Sequence, residues 1–256
     1  MTIKHWFFTS DTHGSLNDFY NIQRKIISQG YNPTECGVIV LGDVGFNYFL
    51  DHRDISLKKK FIKNCGYIIY CLKGNHEARP QKVEGMKKIY DTEVCGYIYY
   101  EEEFPTIKYF CDAEGATYNI NGYKILTIGG AYSIDKYYRL EKGWNWFENE
   151  QLTNNEREFI TKKCLGKNFD FVLTHTCPLS WQPTDLFISL PSSYPIDSSM
   201  EEWLEQLKDK IDYKVWLFGH YHDDRTINEK SEMLFTNLIQ MEYFIDKYIK
   251  GEYNYI

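Results

Sequence analysis

No apolar run in the 256-residue chain approaches the ~20 residues a membrane-spanning helix needs, and Met1-Thr2-Ile3-Lys4 leads straight into a strand pattern with no secretory leader. The expectation is a cytoplasmic protein with no membrane partner. Cysteines are few and unpaired by pattern. The seven, at 36, 65, 71, 95, 111, 164 and 177, are odd in number and contain no Cys-x-x-Cys. That excludes a disulfide framework and a zinc knuckle; most sit in apolar runs and read as reduced core residues. Positive charge is also short: Lys and Arg total 29 against 36 Asp and Glu, a net charge of -7. No general positive field exists to displace counterions, so a long nucleic-acid duplex is not an expected partner. Gly/Ser linkers, repeats and low-complexity tracts are absent, and 43% hydrophobic content suits a globular chain, so residues 1–256 read as one domain. Tyrosine is abundant, at 22, alongside many Lys, Ile and Asn; AT-rich codon usage accounts for that without a function.

What is present is a repeated pattern. The apolar run Tyr67-Ile68-Ile69-Tyr70-Cys71-Leu72 reads as a buried strand and ends in Lys73-Gly74-Asn75-His76-Glu77. His5-Trp6-Phe7-Phe8 runs into Ser10-Asp11-Thr12-His13-Gly14, and Val38-Ile39-Val40-Leu41 into Gly42-Asp43. Phe171-Val172-Leu173 runs into Thr174-His175, and Val215-Trp216-Leu217-Phe218 into Gly219-His220-Tyr221-His222. Five strands thus place Asp, Asn or His just past their C-terminal ends, where open α/β sheets bind ligands. Five of the seven histidines fall in these motifs, which scattered core histidines would not do.

Between the motifs, a helix is expected over Leu16 to Gln29, with Leu16, Phe19, Ile22 and Ile26 on one face and Gly30 as its stop. A Lys-rich helix over Ile55 to Asn64 continues a βαβαβ rhythm, which implies parallel strands. From Ile98 to Ile128 the pattern changes to hairpins, with Asn121-Gly122 as a type I′ turn. Helices are expected over Glu150 to Lys163 and over Ser198 to Lys210, the latter capped by Ser198 or Ser199. Strands follow at Phe169 to Thr174, Tyr213 to Phe218, Arg225 to Ile227 and Met233 to Thr236. Two long irregular segments stand out: Gly129 to Asn149, rich in aromatics, and Cys177 to Asp197, which holds four of the seven prolines. The whole reads as two sheets packed face to face with helices outside each.

Nitrogen and oxygen donors without a nearby thiolate suit manganese, iron or zinc. Asp-x-His and His-x-His, if extended, would point both side chains the same way. Asp11, His13, Asp43, Asn75, His175, His220 and His222 are too many donors for one ion; two ions ~3.5–4 Å apart could use them if a carboxylate bridged.

Taken together, Asp-x-His, Gly-Asp, Gly-Asn-His-Glu, His and Gly-His-x-His, in this order from Asp11 to His222, resemble the calcineurin-like metallophosphoesterase superfamily. The resemblance implies a four-layer α/β/β/α sandwich of two mixed β-sheets. It implies two divalent ions, Mn2+ or Fe/Zn: Asp11, His13 and His222 would hold one, Asn75, His175 and His220 the other, and Asp43 would bridge. It further implies in-line attack of a hydroxide on a small phosphorylated substrate, such as a nucleotide or phosphopeptide. His76 would sit over the leaving-group oxygen as proton donor or charge stabiliser. The alternative is a catalytically silent scaffold on the same fold, though such members usually lose His76 or a bridging ligand and this chain keeps both.

The chain departs from the protein-phosphatase branch, whose Gly-Asp continues into Val-Asp-Arg-Gly. Here Val44-Gly45-Phe46-Asn47 stands instead, without the acid that would orient His76 or the phosphate-binding Arg. The stretch Thr174-His175-Thr176-Cys177-Pro178 likewise lacks His-Gly-Gly and is closer to phosphodiesterase-like and lariat-debranching-like members. Arg53, Arg79, Arg139 and Arg225 are candidate replacements for that Arg, with Arg79 nearest in sequence. Tyr132 begins an aromatic stretch that reads either as a substrate rim or as a satellite core. Glu77 is expected to brace the loop, Glu101-Glu102-Glu103 to form a solvated turn, and His5 and His52 to be structural.

Overall fold

Alternation along the strands decides the layering. In β1 (His5–Thr9), Trp6 and Phe8 face one way and Phe7 the other. In β2 (Cys36–Val40), Ile39 opposes Val38 and Val40, and in β3 (Ile68–Cys71), Tyr70 opposes Ile69 and Cys71. The computed structural model describes residues 2–187 and 195–252. Trp6, Phe8, Ile39 and Tyr70 meet Phe171, Leu173, Val215 and Leu217 of the other sheet in a central apolar layer. The opposite face of the first sheet packs on Phe19, Ile22 and Ile26 of α1 (Leu16–Ser28) and on Phe61 of α2 (His52–Asn64).

The first sheet has seven strands, adding β4 (Lys87–Asp91), β5 (Gly96–Tyr100), β6 (Ile107–Phe110) and β13 (Ile239–Gln240), in the order β13-β1-β2-β3-β6-β5-β4. The second has six: β7 (Ala116–Ile120), β8 (Tyr123–Ile128), β9 (Asn168–Thr174), β10 (Asp212–Phe218), β11 (Arg225–Asn228) and β12 (Ser231–Met233), ordered β11-β12-β10-β9-β8-β7. Val172, Trp216 and Phe218 on its outer face pack on Ile160 and Cys164 of α4 (Asn154–Cys164) and on Met200, Leu204 and Leu207 of α5 (Ser199–Lys208). Three apolar layers between four layers of structure make an α/β/β/α sandwich of two mixed sheets, as expected. In each sheet four adjacent strands run parallel, β1–β2–β3–β6 and β8–β9–β10–β12, and among them β1, β2, β3, β9 and β10 carry the motif loops.

Several expectations need correction. The expected hairpin region divides between the sheets. β4 pairs with β5 and β5 with β6 in the first sheet, whereas β7 and β8, joined at Asn121-Gly122, belong to the second. That turn has φ of 52° and 88°, as a type I′ turn demands. The helix expected from Glu150 begins at Asn154, because Thr153 and Glu156 form a capping box that fixes its first turn. Glu150 is thereby left outside the helix and turned inward. Ser198 makes no side-chain cap on α5; the Asp197 carboxylate accepts the Ser199 N–H at 2.9 Å instead. The segment 129–149 contains a two-turn helix, α3 (Lys136–Lys142), closed by Gly143 at φ 65°. Glu101 is not merely solvated: it pairs at 2.5 Å with the buried Lys58 ammonium, which also donates to Asn47. Part of the proline-rich segment, 188–194, lies outside the described residues. Among the described residues no helix is long and apolar enough to cross a membrane.

Candidate metal centre

The loops after β1, β2, β3, β9 and β10 converge at one edge shared by both sheets. Backbone bonds lock them together. Asp11 N–H donates to the Gly42 carbonyl at 3.1 Å, His13 N–H to the Asp43 carbonyl at 2.8 Å, and Gly219 N–H to the His175 carbonyl at 2.9 Å. Across the sheets, the His220 N–H donates to Asp11 Oδ2 at 2.9 Å. Asp11, His13, Asp43, His220 and His222 all have positive φ, between 45° and 72°. The motifs are therefore not extended, as the i, i+2 reading supposed; they are tight left-handed turns. Such turns cost non-glycine residues on the order of 1–3 kcal/mol each and persist where the surroundings over-determine them.

Close approach of glycine completes the packing. A Cβ on Gly74 would overlap the Asp43 carboxylate and its backbone nitrogen, and one on Gly42 would overlap the His175 ring. The Gly-Asp and Gly-Asn pairs are thus needed because each glycine lies against a donor residue from another strand.

The donors fall into two groups. One brings together Asp11, His13 and His222: Asp11 Oδ1 lies 3.5 Å from His222 Nε2 and 4.0 Å from His13 Nε2, and the two imidazole nitrogens are 3.0 Å apart. The other brings together Asp11, Asp43 and His175, with Asp43 Oδ2 3.5 Å from His175 Nε2. Asn75 Oδ1 joins it at 2.9 Å from the same nitrogen. His220 lies beside His175, ring centroids 5.0 Å apart.

Two observations test whether cations fit. Asp11 Oδ1 is buried without a hydrogen-bond partner, a costly state for a carboxylate oxygen unless a cation meets it. His175 Nδ1 lies 2.7 Å from the Leu41 carbonyl, so that nitrogen carries the proton. The Nε2 lone pair then faces two further acceptors, the Asn75 and Asp43 oxygens. Acceptors converging in this way require a positive charge between them, and a carbonyl-anchored imidazole is the usual form of a metal-ligating histidine. Without metal the protein draws in a proton: burial opposes it, but Asp43 and Asp11 lift His175 to about 9. His220 is pushed down to about 3 by burial and by the His175 charge. Asp43 lies well below the usual carboxylate range, since the His175 charge overcomes its burial. The donor set therefore fits divalent ions.

Behind the donors is a layer the sequence reading missed. Asn75 Nδ2 donates to Ser133 Oγ at 2.9 Å, which fixes the amide with its oxygen inward. Ser133 Oγ donates to Glu150 Oε2 at 2.5 Å, and Trp146 Nε1–H donates to the same oxygen at 2.8 Å. A buried Glu four residues after a Trp was the available signal, masked by its placement in a helix. Glu77 does brace the loops, accepting N–H bonds from Gly74 at 3.1 Å and Gly45 at 3.3 Å. Burial and the Asp43 charge raise its carboxyl to about 7.

His76 points Nε2 at Asp43 Oδ2, 3.9 Å away. Its Nδ1 meets the Arg139 guanidinium. Arg139 is in turn held by Asp135 at 2.7 Å and by the Tyr48 hydroxyl at 3.0 Å. Burial lowers the imidazole pKa; Asp43 opposes and Arg139 adds to the lowering. Among the four candidate arginines, only Arg139 lines the cavity above the donors, as does Tyr132. Arg53 pairs with Asp51 at the exposed start of α2, and Arg225 ties Asp223 to Asp185.

Arg79, nearest in sequence, does not line the cavity. It is buried, donating to the Asn149 and Gln151 carbonyls at 3.1 and 2.9 Å and to Glu156 at 2.9 Å. Its place after the loop directs it toward α4, away from the donors. Arg79→Ala should therefore cost stability, on the order of 2–3 kcal/mol for lost charge-assisted bonds, and leave the kcat/KM of the folded fraction unchanged. Chemical denaturation with parallel kinetics decides this; a rise in KM at unchanged stability would return Arg79 to the substrate.

The calcineurin-like phosphoesterase family profile matches residues 6–224, and the chain belongs to that family. Its members are in general metal-dependent hydrolases of phosphate esters, typically with a binuclear centre. No curated protein sequence matches the chain. One solved crystal structure superposes with a TM-score of 0.51 at 11% identity, covering 90% of this chain and 89% of that one, and so shares the fold. TT1561 of Thermus thermophilus superposes with a TM-score of 0.44 at 11% identity, covering 93% and 98% of the two chains. For the 5′-nucleotidase of Candida albicans the values are 0.35, 13%, 92% and 46%.

Proposed function

We propose that this chain hydrolyses phosphate esters with two divalent ions, manganese, iron or zinc. Asp11, His13 and His222 would hold one, Asn75, His175 and His220 the other, with Asp43 shared between them. The observation that carries this reading is the convergence of ligand atoms from separate loops: the orphan Asp11 Oδ1 lies 3.5 Å from His222 Nε2, which faces His13 Nε2 at 3.0 Å. When bound, divalent ions supply an acidified water and neutralise phosphate oxygens.

The chain's own residues supply orientation. Arginine only donates hydrogen bonds, so Arg139 leaves His76 Nδ1 unprotonated and the neutral ring carries its proton on Nε2, toward the donors. His76 then serves a departing oxygen as a fixed N–H donor. Of the two expected roles this favours the charge stabiliser. Arg139, backed by Asp135, takes the orienting position that the protein-phosphatase branch gives to an acid. The seven free thiols fit a reducing compartment such as the cytosol. The silent-scaffold alternative has no residue in its favour, since His76 and Asp43 are both in place.

Metal loading provides the test. Manganese at about 100 times its dissociation constant should stabilise the fold by ~2.7 kcal/mol. That raises Tm by roughly 5–10 °C for a chain of this size, with two ions per chain by elemental analysis and reversal by a chelator. Turnover of an aryl phosphate mono- or diester should accompany it. An unshifted Tm with an empty site would remove the proposal.

A further inference from the structure

The cavity over the donors, ≈ 660 Å3, has two unlike walls. One is the donor set with His76. The other is formed by Ile134, Leu186, Phe187 and Ile196, with Tyr132 and Tyr221. Ile134, Leu186, Phe187 and Ile196 are between 41% and 55% exposed, so four large apolar side chains are left half in water around a single cavity. Exposed apolar patches with polar edges mark ligand sites. The wall is braced. The Phe187 ring stacks on Tyr221 at 6.1 Å between centroids and 24° between planes. The Tyr221 hydroxyl lies 3.0 Å from Thr176 Oγ1, which donates to Glu201 at 2.6 Å. Arg225 bonds both Asp223, one residue past His222, and Asp185, two residues before Phe187, so the aromatic wall is tied to the donor loop.

Charge narrows the ligand further. Among the described lining residues Arg139 is the sole Lys or Arg, and it is already paired with Asp135. Asp197 and Glu201 add carboxylates that no Lys or Arg of the lining pairs. A second or third phosphate group, or an acidic phosphopeptide, would find carboxylates there and no free cation. A flat apolar group would find rings and aliphatic side chains of matching character.

We infer that the site takes a singly charged phosphate diester whose non-leaving ester group is flat and aromatic and lies against Phe187 and Tyr221. This rests on the proposed hydrolase reading and adds its substrate class. The manganese-loaded full chain is assayed with three substrates that share one leaving group: 4-nitrophenyl phenyl phosphate, 4-nitrophenyl methyl phosphate and 4-nitrophenyl phosphate. The phenyl diester should exceed the methyl diester in kcat/KM by about 10- to 100-fold, the range of a stacking contact, mostly through KM. Both diesters should exceed the dianionic monoester. Phenylphosphonate should inhibit more tightly than methylphosphonate by a similar factor. In Phe187→Ala, and separately in Ile196→Ala, the phenyl-to-methyl ratio should fall toward one, while Phe187→Trp retains it. A ratio near one in the unmodified protein, a preference for the monoester, or a ratio untouched by both alanine variants overturns the inference and leaves the hydrolase reading standing. Inertness toward all three substrates overturns both.

Discussion

His76→Ala should lower kcat by about two to three orders of magnitude, with little change in KM and with the manganese-induced rise in Tm intact. The ring lies outside both donor groups, and its Nε2 is 3.9 Å from Asp43 Oδ2, close enough to face an oxygen bound over the donors. Nothing in the fold depends on the ring filling space, because it lines an open cavity. The variant therefore separates two accounts that a static structure merges. If activity and the metal-induced shift disappear together, His76 belongs to the ligands and the leaving-group role is wrong. If kcat falls less than tenfold, the fixed N–H donor is not where the barrier is lowered.

The second large effect is expected from a methyl group. Gly74→Ala would drive a Cβ into the Asp43 carboxylate and backbone, neither of which can yield. Asp43 is buried, held at φ 52°, and its Oδ1 accepts the His76 N–H at 2.8 Å. Overpacking of this kind costs typically 1–3 kcal/mol and sometimes more. Here it acts on a strained, buried carboxylate, so a loss near or above 3 kcal/mol is expected, lowering Tm by roughly 6–12 °C. Any folded fraction should also lose its response to manganese, because the shared carboxylate has moved. Thermal scans with and without manganese measure both. A variant with native Tm and native metal response would show that Asp43 does not pack against Gly74.

These two residues also show how far a linear reading reaches. Asp43 and His76 stand out because each follows an apolar run with a glycine between, a pattern repeated at His220, while Asp11 and His175 follow their runs after Thr9-Ser10 and Thr174. Strand identity came from the same runs, and their unbroken apolar character sufficed to expect both faces of each sheet to be buried. Short-range chemistry was legible where it is strong, as at the Asn121-Gly122 turn. It failed where a competing local interaction was stronger: the Thr153–Glu156 capping box moved the start of α4 past Glu150.

By itself, the order of residues determined which donors exist, which strands carry them and at which end, because hydrophobic period and strand polarity are local properties. Only the tertiary structure decided that Ser133, Glu150 and Trp146 fix the Asn75 amide, that Arg139 rather than Arg79 reaches His76, and that Phe187 and Tyr221 wall the cavity. All but the Trp146–Glu150 bond join residues far apart in the chain, or the loops of different strands. Their geometry depends on how two sheets pack and how left-handed turns aim each side chain, and a one-dimensional pattern does not encode that distance.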